Sequence, residues 1–348
     1  MAARLQVHQS HTSLMTARRH HYVPQCYLKG FAADRDKAQL HVVDVRRLAA
    51  FRTSTKNVAQ ERDFHSLADT NVDADALEAA FSGFESEASL ALERCIAAEC
   101  FFSGEDRGYI LNLIALMAVK NPRIRANADR FRKRVMKAAM DLALSSPEIW
   151  NSQIRKAKEA GFIKPNADTD YERMRAAMRA DAYEIVISPA DHLITEMDVF
   201  DSVLPLFFQR AWTVLRAPRE AVGFITSDQP VCLIWSGPPV PGLLRQPPGF
   251  GRPGTLVLFA LAPSLALVGA FEGEDKVIDA TESQIADFNF AMVQNARRQI
   301  YARHSDFLYR FEHGASPRAG HLLDDLEQRR ALPAPSRTRT DFKELCRF

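Results

Sequence analysis

The sequence lacks the cysteine spacings that mark a metal site or a disulfide framework. Its five cysteines, Cys26, Cys95, Cys100, Cys232 and Cys346, stand singly with no CxxC pair, which fits a reducing, cytoplasmic setting. It also lacks a bilayer-length apolar run: residues 255–271 (TLVLFALAPSLALVGAF) are too short and carry Pro263 in the middle, so they are expected to form two buried strands. The opening MAARLQVHQSHTSLMTARRHHYVPQ has no apolar h-region, which excludes a secretory signal. Met15 offers an alternative start, and residues 1–17 are expected to be a flexible extension. Charge of one sign is scarce in the total, +2, so attraction to nucleic acid requires local clustering of basic residues. There is no GxGxxG after a strand, P-loop, HExxH, GxSxG or kinase set, which removes the main support for nucleotide-cofactor, zincin and α/β-hydrolase readings. No fixed-period repeat is visible, which argues against a solenoid or propeller.

What is present suits a globular chain. Of the 348 residues, 47% are hydrophobic and 25% charged, enough to build a sizeable core in one large domain or two closely packed ones. The expected class is α+β, mainly helical in the N-terminal and middle part and packed on an antiparallel sheet formed by the C-terminal third. Residues 18–313 read as the α+β domain, with a possible helical subdomain at 74–210 and a sheet subdomain at 211–313, and residues 314–348 as a loose tail holding one short helical patch. QLHVVDV (39–45) alternates as a strand, and residues 75–99 run helical. Ser103 with Asp106 resembles a capping box before the apolar helix GYILNLIALMAVK, which must break near Asn121-Pro122. Ser146-Pro147 and Ser188-Pro189 are further helix starts. From Ala211 onward, short β-branched or aromatic runs separated by Pro and Gly read as antiparallel strands.

The most specific motif is His20-His21-Tyr22-Val23-Pro24-Gln25-Cys26-Tyr27-Leu28, followed by Gly30-Phe31-Ala32. Histidine titrates near neutrality, so a pair on a proline-stiffened segment can supply a general base or a metal ligand. Alternatively, Tyr22, Val23, Tyr27, Leu28 and Phe31 staple the segment to the core while His21 and Gln25 satisfy backbone groups. Glu78 and Glu85, seven residues apart on one predicted helix face beside Phe81 and Phe84, suit acid, base or metal-binding roles if burial raises their pKa, or an ordinary salt bridge to Arg123 or Arg125. Ser227 and Asp228 in TSDQP fall at a strand end, where they serve a site or cap a turn. The run Arg123, Arg125, Arg130, Arg132, Lys133, Arg134 and Lys137 lies on a helix whose apolar face is Ile124, Ala128, Phe131, Val135 and Leu142. Arg123, Arg130, Arg134 and Lys137 share one side and could line phosphates, but the run lacks aromatics for base stacking. His192 and Glu196 have i, i+4 spacing without a third ligand and read as surface residues.

The motif resembles the HYVPQ-x-YL-x-x-F signature of a bacterial family of unknown function marked by its His-Tyr-Val-Pro segment. Similar matches are Lys56-Asn57 with Glu61 and Phe64, Glu78, Glu85, Asn121-Pro122-Arg123, residues 226–231, and Asn289 through Tyr301. Gln229 stands where the family form has Asn, and residues 260–263 depart from a commoner Leu-Ser-Pro form. The resemblance locates a site without supplying a substrate. Two functions are carried forward. One is a hydrolase acting on a phosphate-containing or nucleic-acid substrate: His21 as base or ligand, Asp228 with Glu78 or Glu85 as acid or ligands, Arg123 as anion binder, His20, Gln25, Ser227 and Asn289 as substrate contacts, and a divalent metal possible. The other is a noncatalytic nucleic-acid or protein-binding module in a mobile-element or defence context, contacting its partner through Arg130, Arg134 and Lys137. An enzyme requires His21, Asp228 and a helix carboxylate at one cleft; a binding module does not.

Overall fold

The computed structural model describes residues 19–34, 36–62, 64, 74–100, 104–218, 223–237, 247–312 and 315–331. The expected extension 1–17, the cap at Ser103, the side chain of Glu78 and the end of the tail lie outside the described residues. Among these residues the chain is α+β, in two compact units: residues 122–188 and all the rest.

The larger unit opens with β1 (Arg19–His21), α1 (Gln25–Lys29), β2 (Gln39–Asp44), β3 (Ala49–Ser54), a 3₁₀ turn (Thr55–Asn57) and β4 (Gln60–Arg62), then α2 (Ala74–Ala98) and α3 (Gly104–Val119). Beyond its charged first turn, helix α3 is apolar around its circumference apart from Asn112, so it buries every side rather than one stripe from Ile110 through Val119. The smaller unit holds α4 (Pro122–Ala143), α5 (Pro147–Glu159) and α6 (Tyr171–Arg179). Each start follows local chemistry: proline opens α4, Ser146 accepts from Ile149 N at 3.3 Å before Pro147, and Asp170 accepts from Arg173 N at 2.8 Å.

The chain then returns to the larger unit with α7 (Pro189–Phe208), β5 (Ala211–Arg216), β6 (Thr226–Ser227), β7 (Cys232–Trp235), β8 (Thr255–Ala262), β9 (Leu265–Ala270), β10 (Lys276–Asp279), α8 (Glu282–Asn295), β11 (Gln299–Ala302), β12 (Leu308–Tyr309), β13 (Arg318–Ala319) and α9 (Leu322–Ala331). The run 255–271 forms two strands, and all eight residues of β8 are buried. The five-stranded sheet has order β10-β5-β9-β8-β7 and is antiparallel except where β10 joins β5 in parallel. The four-stranded sheet has order β3-β2-β11-β6, so the N-terminal hairpin β2-β3 pairs with a strand more than 250 residues later: Asp44 faces Gln299 and Val42 faces Tyr301. The core lies between these sheets and α2, α3 and α8. Within the expected loose tail, α9 is tied back: Tyr309 Oη donates to the buried Asp325 carboxylate at 2.6 Å, which also pairs with Arg318 at 2.8 Å.

The surface assignment of His192 and Glu196 needs correction. Glu196 is 4% exposed and His192 is half-buried, on a helix that packs against α3.

Candidate functional site

The residues of TSDQP and of the 289–301 stretch converge, and they converge on backbone. Asp228 is 2% exposed, and its two carboxylate oxygens accept from Arg297 N at 2.9 Å and Arg298 N at 2.8 Å. Burial pushes this carboxyl above its ordinary range, against the pull of the Arg297, Gln299 and Arg298 backbone and the Arg297 charge. Ser227 Oγ accepts from Gln229 N at 3.0 Å. Asn289 accepts from Ile225 N at 3.0 Å and donates to the carbonyls of Gly223 at 3.0 Å and Leu308 at 2.7 Å. Asn295 donates to Gln229 O at 2.8 Å and Val231 O at 3.1 Å. These side chains substitute for ladder hydrogen bonds where irregular backbone is buried. The adjoining arginines are engaged as well, Arg297 with Glu61 at 3.3 Å and Arg298 with Asp44 at 2.9 Å.

The motif segment meets this clamp through Tyr27, whose hydroxyl lies 2.7 Å from Thr226 Oγ1 and donates to Ala260 O at 2.8 Å. Its ring stacks on Phe259 with centroids 5.0 Å apart.

A second group gathers where α1 packs on α2. Gln25 Nε2 lies 3.4 Å from His21 Nδ1, while His21 Nε2 is buried with no hydrogen bond of ordinary geometry. Burial lowers the His21 pKa; the backbone of Thr55 and Lys56 opposes this, and His20 adds to it. Next along α1, burial and the Glu85 charge push the Cys26 thiol up to about 11. Glu85 is itself raised by burial, against the field of Lys120, which lies 4.1 Å from the Phe81 ring centre. The cation beside Glu85 is therefore Lys120. Sequence reasoning passed over it, although a lysine closing the apolar run of α3 is the kind of residue that must find a partner. Among the described residues no group of three or more His, Cys, Asp or Glu is arranged to hold a metal ion. Gln25 thus meets His21, Cys26 lies in the field of Glu85, Asp228 and Ser227 are bound into the strand end, and Arg123 belongs to the smaller unit.

In that smaller unit the basic run of α4 is exposed along much of its length, and so is its apolar stripe, with Phe131 at 60%, Val135 at 50% and Leu142 at 69%. Arg130 donates to Asn127, Lys133 pairs with Asp129 at 2.9 Å, and Lys137 pairs with Asp181 at 3.1 Å. Residues 181–185 come back beside the helix and make a hollow of about 300 Å³, lined by Lys133, Arg134, Lys137, Asp181, Tyr183, Glu184 and Ile185. Lys137 Nζ sits 5.9 Å from the Tyr183 ring centre. A ring beside Lys137 is thus supplied from a segment far along the chain. The unit carries fourteen Lys or Arg against nine Asp or Glu, leaving thirty-one against thirty-four elsewhere, so the small total charge conceals a segregation.

No helix among the described residues is long and apolar enough to cross a membrane. No curated protein and no solved structure matches the chain. The resemblance drawn from the His-Tyr-Val-Pro segment is corrected by the family comparison, which matches a different description over residues 19–306. With most of its length covered by that match, the chain belongs to the family described as protein of unknown function DUF4238.

Proposed function

We propose that the protein is a noncatalytic binding module whose partner is a nucleic acid, held on the cationic side of α4. The observation that carries this reading is the hollow in which Lys133, Arg134 and Lys137 face Tyr183. Cations that neutralise phosphates beside a ring on which a base can stack are the two elements of sequence-tolerant single-strand binding. The exposed Lys137–Asp181 pair is a weak competitor, since surface ion pairs contribute little and exchange readily for a phosphate.

The hydrolase reading is less well supported. It needs Asp228 free to act, and both its oxygens are held by backbone amides. What favours it is the contact of His21 with Gln25, with Cys26 next along the same short helix in the field of Glu85 and His21 Nε2 buried without a hydrogen bond of ordinary geometry.

The test is fluorescence anisotropy of a labelled single-stranded oligonucleotide of about 20 nucleotides, titrated at several salt concentrations. Binding should weaken steeply with salt, and Arg134→Ala should reduce the slope of log K against log salt by about 1. Tyr183→Ala should cost about 5- to 100-fold in affinity. Absence of salt-dependent binding by the wild type, or a Tyr183→Ala variant that binds unchanged, would overturn the proposal.

A further inference from the structure

A cavity of about 270 Å³ lies in the larger unit, on one face of the five-stranded sheet. Strand pairing places Ala211, Thr213, Leu256, Val268, Ala270 and Lys276 on that face, while Trp212 projects to the other. The small side chains leave a depression, and residues 271–274 form its remaining wall. That wall is pinned at both ends. Phe271 lies against the buried Arg210 guanidinium, 4.1 Å from the ring centre, and Asp275 accepts from Trp212 N at 2.8 Å and pairs with Arg107. Between the pins Gly273 takes φ +99, a conformation costly for any residue with a Cβ. The cavity is thus preformed, which lowers the ordering cost of filling it.

Its charged groups are uncommitted. Among the described residues Glu272, Glu274 and Lys276 take part in no ion pair, although all three line the cavity. Thr213 is 7% exposed and lines the cavity. Charges of both signs around an apolar floor of this size match a ligand that is itself small and doubly charged.

We infer that this cavity binds a small zwitterion of the amino-acid class, its carboxylate on Lys276 and Thr213 and its ammonium on Glu272 or Glu274. The inference uses none of the residues of α4, so it stands or falls apart from nucleic-acid binding.

The experiment is isothermal titration of the full chain with the twenty standard L-amino acids, one at a time. At least one is expected to bind saturably. Its N-acetyl derivative and its amide should each bind about tenfold or more weakly, because each lacks one of the two charges. Lys276→Met, and Glu272→Gln combined with Glu274→Gln, should each cost about tenfold or more with unchanged circular dichroism; these side chains are at least partly exposed, so folding is not at stake. If no amino acid binds, if a lone carboxylic acid binds as tightly, or if Lys276→Met binds as well as wild type, the inference is wrong.

Discussion

The hydroxyl of Tyr27 lies 2.7 Å from that of Thr226, 199 residues further along the chain, and both side chains are fully buried. One bond joins the two most distinctive segments of the sequence.

Tyr27→Phe leaves Thr226 Oγ1 and Ala260 O buried without this partner. The expected loss is about 1–3 kcal/mol, the usual cost of stranding buried polar atoms. Urea denaturation measures it. Thr226→Val alone should also destabilise, and the two changes together should cost less than their sum. Additive losses would show that the hydroxyls do not act as a pair.

Asp228→Asn keeps the shape but turns an amide N–H₂ toward one of the two backbone donors, Arg297 N or Arg298 N. A donor facing a donor should cost about 2–3 kcal/mol and lower the thermal midpoint by several degrees. If Asp228 were held for chemistry rather than as a clamp, the substitution would leave stability nearly unchanged.

The expected pH dependence at His21 has a definite sign. Burial holds its folded pKa below the ordinary imidazole value of 6.5, so the unfolded chain binds the proton more readily. The stability it contributes is complete above about pH 6.5 and is lost as pH falls through the lowered folded value. Glu85, raised by burial, acts in the opposite sense: its contribution is complete below the ordinary carboxyl value of 4.5 and is lost as pH rises through the folded value. His21→Gln should therefore flatten the decline in urea midpoint between about pH 7 and pH 5 relative to wild type. Parallel curves for the two proteins would refute the assignment.

Two glycines should respond differently to alanine. A Cβ on Gly223 would fall 1.8 Å from Pro263 O, a backbone atom that cannot move aside, so Gly223→Ala should fail to fold or unfold at a much lower temperature. A Cβ on Gly269 would meet the Trp212 ring at 2.8 Å, where repacking can absorb part of the overlap, for a cost of about 1–3 kcal/mol. Calorimetry on both variants gives the order.

The fold was legible where apolar pattern and length agree. The continuous run through β8 and β9, the apolar C-terminal part of α3 and the start of α4 at Pro122 follow from side-chain type alone. The parallel strand β10 was not legible, since KVID is short and half exposed and owes its conformation to β5. The site was legible as a set of residue types but not as roles. Asp228 and Asn289 could be recognised as important polar residues, whereas their partners are backbone groups up to 70 residues away, which no side-chain pattern reveals. Tyr183 escaped notice for a similar reason, lying 46 residues beyond Lys137 in the chain.

The segregation of charge has a bearing on how the protein behaves in solution. With a sequence pI of about 8.3 and little net charge at neutral pH, copies are not kept apart by mutual repulsion, while the basic 122–188 section of one molecule attracts the acid-rich remainder of another. Such attraction is screened within about 10 Å at 0.1 M ionic strength. The protein should therefore cloud on dialysis into dilute buffer and clear again on addition of ordinary salt, and a polyanion that occupies the basic section should disperse it without any salt at all.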